Sequence, residues 1–127
     1  MVKWGTLKSG VASAAGSTAI WTPASTNYVR IAAARFLVSG DAYAAADELT
    51  LALYDAATAT PLSLIIGIPI AAPSAVTRGA LWDSGWIDLG LGIRTAAVGD
   101  AVNINLSEAL TAGKCSVLLM GNEGPWV

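Results

Sequence analysis

The sequence predicts an all-β fold, an antiparallel β-sandwich of about eight short strands in one domain. Three observations point there. Apolar residues recur with a period of two in several runs, which is the signature of a strand with one buried face. Clusters of Gly, Pro, Asn, Asp and Ser separate those runs. The chain has 127 residues, the size of one domain.

The elements follow in chain order. Residues 1–17 are rich in Gly, Ser, Ala and Lys, with strand character only at 3–8. They are expected to form an N-terminal arm or edge strand ahead of a sandwich domain spanning 18–127. A strand is predicted at 18–22, closed by Pro23, and another at 27–38, closed by Ser39, Gly40 and Asp41. Residues 48–55 place Leu49, Leu51 and Leu53 on one face and Thr50, Ala52 and Tyr54 on the other. The Ala-rich stretch 42–59 has the propensity to form a helix. Its period-two leucines favour a loop followed by a strand, with a helical turn within 41–47 still open. Residues 62–70 bring Leu62, Leu64, Ile66, Ile68 and Ile70 together. Residues 81–89 read as one strand, with Trp82 and Trp86 on one face and Ile87 and Leu89 on the other. Residues 101–106 put Val102, Ile104 and Leu106 inward and Asn103 and Asn105 outward. Residues 114–120 are the last strand. Gly99-Asp100 and Ala112-Gly113 read as turns.

Two strands are apolar on both faces. Cys115, Val117 and Leu119 oppose Leu118 and Met120. Val29, Ile31 and Leu37 oppose Phe36 and Val38. An antiparallel sheet with one wet face alternates apolar and polar residues. Two readings are open: a bulge that shifts the phase of the strand, or an outer face covered by the second sheet, the arm or a neighbouring subunit. The composition favours subunit contacts. Apolar residues make up 54% and charged residues 13%, against roughly 25% charged in an ordinary soluble domain. Mean hydropathy is +0.58. No run reaches the roughly 18 apolar residues of a membrane-spanning helix, since Ser63, Gly67 and Pro69 interrupt the longest one, so no membrane partner is expected. A surface this poor in charge is kept from water most simply by partners.

The formal net charge is −2 and the seven basic residues form no patch, so no nucleic-acid partner is expected. The start of the chain has no apolar core of a secretory signal. Catalysis is not expected either. The chain has no histidine, which removes the Ser-His-Asp, Cys-His and His-metal constellations. Cys115 lies mid-strand among apolar residues, the setting of an inert thiol. The nine carboxylates sit mostly at strand ends and turns, and no pair stands out as the acid and base of a glycosidase. Asp41, Asp47 and Glu48 match no calcium-loop spacing, and Gly90-Leu91-Gly92 lacks the rest of a phosphate-binding loop. No cofactor and no metal is expected.

Five tryptophans remain as residues with a functional look. Trp21, ending a strand just before Pro23, is assigned to the core. Trp4 and Trp126, near the two ends, join Leu118 and Met120 as the candidate interface, because Trp is a favoured anchor of protein contacts. Trp82 and Trp86, with the outward Asn103 and Asn105, are the candidate platform for a sugar under the alternative reading, a carbohydrate- or receptor-binding module.

The run Trp21-Thr22-Pro23-Ala24-Ser25, then Tyr28-Val29-Arg30-Ile31, Val38-Ser39-Gly40 and Leu49 through Asp55, resembles small virion proteins of tailed bacteriophages. The second half continues the same style in Asp88 through Gly92, Asp100 through Ser107, Ala109 through Gly113 and Gly121-Asn122-Glu123. The resemblance covers about residues 18–123 and consists of strand and turn residues, with no catalytic signature. It implies a jelly-roll or related sandwich on a phage particle, at the capsid surface. Such proteins decorate or cement capsids, often as trimers around symmetry axes, or form head fibres and tail components. The expected partners are therefore sister copies in a homo-oligomer, with a trimer favoured, and the major capsid protein or another virion protein.

Overall fold

The computed structural model describes residues 5–39, 48–57, 60–69, 81–107, 109–110 and 113–127. They form strands β1 (Thr6–Ala12), β2 (Gly16–Trp21), β3 (Tyr28–Ser39), β4 (Glu48–Asp55), β5 (Thr60–Pro69), β6 (Leu81–Asp83), β7 (Ile87–Arg94), β8 (Val102–Leu106) and β9 (Cys115–Gly124). One sheet has the order β1-β9-β3-β6, with β7 also paired to β3, and the other has the order β2-β8-β4-β5. Every pairing is antiparallel. The chain crosses between the sheets at every step except from β4 to β5, which form a hairpin, and from β6 to β7, and the last strands return beside the first. Counting β6 and β7 as one interrupted strand gives the eight-strand jelly roll, a sandwich of two Greek keys.

The core lies between the sheets. From the five-stranded sheet come Val29, Ile31, Ala34, Phe36, Val38, Cys115, Val117 and Leu119, and from the other come Trp21, Leu51, Leu53, Val102, Ile104 and Leu106, all buried. Each large side chain buried this way contributes roughly 1.5–3 kcal/mol. The alternation in burial of β8, and of β9 from Cys115 to Met120, matches their sequences residue for residue. Trp21 is in the core as expected.

Three local features depart from the expected strands. In β3 the inward set is Val29, Ile31, Ala32, Ala34, Phe36 and Val38, while Leu37 points outward with Ala33 and Arg35. A bulge between Ile31 and Ala33 reverses the phase. The two-faced pattern of β3 is thus a shifted strand, and Leu37 does not share a face with Val29 and Ile31. Residues 81–89 do not form one strand. Ser84 breaks the ladder: its N–H donates to the Phe36 carbonyl and its hydroxyl accepts from the Phe36 N–H, both at 2.9 Å. Gly85 then takes φ +67°, so Trp82 and Trp86 belong to different segments. Finally, β9 runs past Met120 to Gly124, because residues 121–124 pair with the start of β3. The segment 41–47, where a helical turn was open, Gly40, Ile70 and Ala112 lie outside the described residues.

Candidate interface on the five-stranded sheet

The two outer faces of the sandwich differ in chemistry. On the four-stranded sheet, Asn103 is flanked by Ala19 and Tyr54, and Asn105 by Ser17 and Ala52. Along β8 this face carries asparagines, Ser17 and Ala19 beside Tyr54 and the buried Ala52, which pairs in turn with Ile65 of β5. On the five-stranded sheet, Met120 is flanked by Leu7 and Ala33, Leu118 by Ser9 and Arg35, and Ser116 by Val11 and Leu37. Directly opposed residues stand about 4.5–5.5 Å apart at Cβ. Leu7, Ala33, Leu37, Leu118 and Met120, with Val11 at the corner, therefore form one apolar patch across β1, β9 and β3. Leu7 and Val11 are each 54% exposed.

The patch exists because of the register of β9. Its even positions carry Leu118 and Met120 where a wet face would carry polar residues, and the pairing brings Leu7 of the edge strand beside them. Toward β6 and β7 the face turns charged. Arg35 meets Asp83 in a two-pronged ion pair through its Nε and Nη2. That hydrogen bond from Arg35, helped by the Gly85 N–H, brings the Asp83 carboxyl down to about 2. Further along, Arg30 and Arg94 oppose each other in register. Arg30 Nη1 donates to the Gly92 carbonyl at 3.2 Å, and the Arg94 guanidinium stacks 4.1 Å from the Tyr28 ring centre. An apolar centre with a charged border is the anatomy of a protein contact surface.

Of the residues singled out in the sequence, Leu118 and Met120 lie together at the centre of this patch. Trp126 follows β9 and is 92% exposed. Trp4 lies outside the described residues, as does the Trp82 side chain. Trp86 is 44% exposed in the segment between β6 and β7. That segment links two strands of the five-stranded sheet, whereas Asn103 and Asn105 belong to the other. The backbone positions of the sugar platform are thus divided between the two sides of the sandwich. Asn103 Oδ1 is buried without a hydrogen-bond partner among the described residues.

Sequence reasoning missed three carboxylates. Glu123 holds the corner between β2 and β3. Asp55 and Asp100 are both buried and accept from the adjacent N–H groups of Ala96 and Ala97. The sequence reading puts most carboxylates at turns and strand ends, and nothing local to these three distinguishes a buried acid from a solvated one. Cys115 is fully buried, and burial pushes its thiol up to about 12. Among the described residues no group of three or more His, Cys, Asp or Glu is placed to hold a metal ion. No helix among them is long and apolar enough to cross a membrane.

The class that the fold and surface define is a jelly-roll β-sandwich with an apolar outer face on its five-stranded sheet. No family model matches the chain, and no curated protein matches it. Among solved structures it is similar to a chain of the cyanophage Pam1 capsid asymmetric unit, at 15% identity over 91% of this chain and 82% of that one, with a TM-score of 0.44.

Proposed function

We propose that this protein is a non-catalytic structural component of a bacteriophage particle, decorating or stabilising the capsid by packing against sister subunits and the shell. The observation that carries the reading is the apolar patch of Leu7, Val11, Leu37, Leu118 and Met120 on the outside of the five-stranded sheet. A jelly roll of this size has a complete core without using these side chains. Contiguous apolar surface rimmed by charge is retained where it is covered by another protein. The sequence resemblance to small phage virion proteins supplies the setting, and the absence of histidine removes the commonest catalytic base.

In this reading the patch packs against a neighbouring copy, in a trimer, and Trp126 reaches the shell. The test is co-sedimentation with phage particles carrying the gene. The reading expects the protein to travel with intact particles at a fixed, high copy number. Full recovery in the supernatant, with none on particles, would overturn it.

A further inference from the structure

We propose that β1 pairs edge to edge with β1 of a second copy, antiparallel about a two-fold axis at Ser9, so that the five-stranded sheets of two subunits run on into one. This contact goes beyond the outer-face packing, because it is made by backbone hydrogen bonds at the rim of the sheet.

A strand at the rim offers a row of backbone donors and acceptors to another chain, and folds blunt such edges with proline, bulges, charge or shortness. The other rim strands here are blunted. β2 bulges between Ala19 and Trp21. β5 carries Pro61 and Pro69, and its register against β4 shifts. β6 has only three residues. The ladder of β7 skips from Asp88 to Ile93. β1 has none of these devices. All seven of its residues pair with β9 without a shift, from Thr6 against Gly121 to Ala12 against Cys115. It contains no proline. Its single charge, Lys8, lies on the face opposite to Leu7 and Val11, with Nζ 5.8 Å from the Trp21 ring centre. Leu7, Lys8, Ser9 and Val11 are exposed, and β9 is the one ladder partner of β1 among the described residues.

The sequence of β1 is complementary to itself. About a two-fold axis perpendicular to the sheet, opposed residues come from the same face, so the axis passes through a single residue position. Ser9 is the middle of the strand, and centring there uses its full length. Leu7 then faces Val11 of the second copy, and Val11 faces Leu7 of the second copy. Opposed side chains on one face stand about 4.5–5.5 Å apart at Cβ, and apolar pairs stabilise the ladder. On the other face Lys8 meets Gly10, which has no side chain to crowd it. Centring on Lys8 would oppose two ammonium groups, and centring on Gly10 would set Val11 against Ser9. Within each copy Ser9 is flanked by Leu118 and Leu7 by Met120, so the pairing at Ser9 joins two apolar patches into one surface. Such a contact closes at two copies, and it therefore links face-built assemblies two at a time.

Oxidative cross-linking tests the pairing. Cys115 is the one cysteine of the chain and is fully buried, so Ser9→Cys adds the only accessible thiol. Two copies paired at Ser9 bring these thiols directly opposite each other, within the Cα separation of about 4.4–6.8 Å that a disulfide spans. Under mild oxidation Ser9→Cys should run at twice its mass on a non-reducing gel. Leu7→Cys should stay at the monomer mass, because its two thiols lie roughly 13 Å apart along the strands. No covalent dimer of Ser9→Cys, or equal rates for the two variants, would overturn the proposal. Light scattering on reduced Ser9→Cys keeps the outer-face reading separate. An assembly that gives no cross-link refutes the edge pairing alone, whereas a cross-linked dimer from a protein that is monomeric when reduced supports the edge pairing and refutes the outer-face contact alone.

Discussion

The indole N–H of Trp21, at the end of β2, donates to Oε1 of Glu123, near the end of β9, over 3.1 Å. Oε2 of the same carboxylate accepts from Ala24 N–H at 3.1 Å and the Asn27 amide at 2.9 Å. One acid thus fastens the whole corner by which the chain leaves one sheet and enters the other. The Asn27 hydrogen bond, then those of Trp21 and Ala24, with the charge of Lys8 last, hold this carboxyl below its ordinary value against the opposing effect of burial.

Glu123→Gln should therefore be destabilising. An amide has one acceptor oxygen, so its NH₂ is turned toward donors, and a donor left unpaired costs about 1–3 kcal/mol. The effect has a pH signature. A depressed folded value stabilises above the ordinary 4.5 and is lost as pH falls through the folded value. Urea unfolding at pH 7 should show the full loss, and the two proteins should converge as the pH is lowered below that window. A constant difference at every pH would contradict this role of the carboxylate.

Gly121 is expected to tolerate no side chain. A Cβ there would overlap the Arg30 carbonyl oxygen, a backbone atom of the paired strand. Gly121 faces Ile31 where β3 bulges, so the close approach of the two backbones is what accommodates the extra residue Ala32. Gly121→Ala should cost about 1–3 kcal/mol through this crowding. Gly5→Ala, which meets nothing within 4 Å, should leave the thermal midpoint unchanged.

The same glycine shows why part of the fold was legible and part was not. The alternation of β4, β8 and β9 is written in their own residues, so their inward sets and the outward Leu118 and Met120 could be read directly. The phase of β3 was not legible, because the cause of its bulge lies opposite it, in Gly121. The break between β6 and β7 depends on Ser84 replacing a ladder partner of Phe36. Glu123 and Asp55 draw their meaning from partners far away in the chain. Strand order is likewise long-range information: alternation says which face is buried and nothing about which strand lies alongside.

Cys115 should be inert in the native protein. Its thiol is pushed up to about 12 by burial, and the thiolate is the reactive form. A disulfide reagent at pH 8 should label one thiol in urea and none in buffer over the same time. Prompt labelling of the folded chain would place this thiol outside the core.

The outer face of the five-stranded sheet is the centre of the functional account, and its covering by protein can be measured directly. Static light scattering should compare the wild type with Leu118→Glu combined with Met120→Glu. Both positions face outward, so the fold should survive with an unchanged circular dichroism spectrum. The wild type should have the mass of a trimer or a larger assembly and the variant that of a monomer. Equal masses for the two folded proteins would contradict the claim that this face holds subunits together.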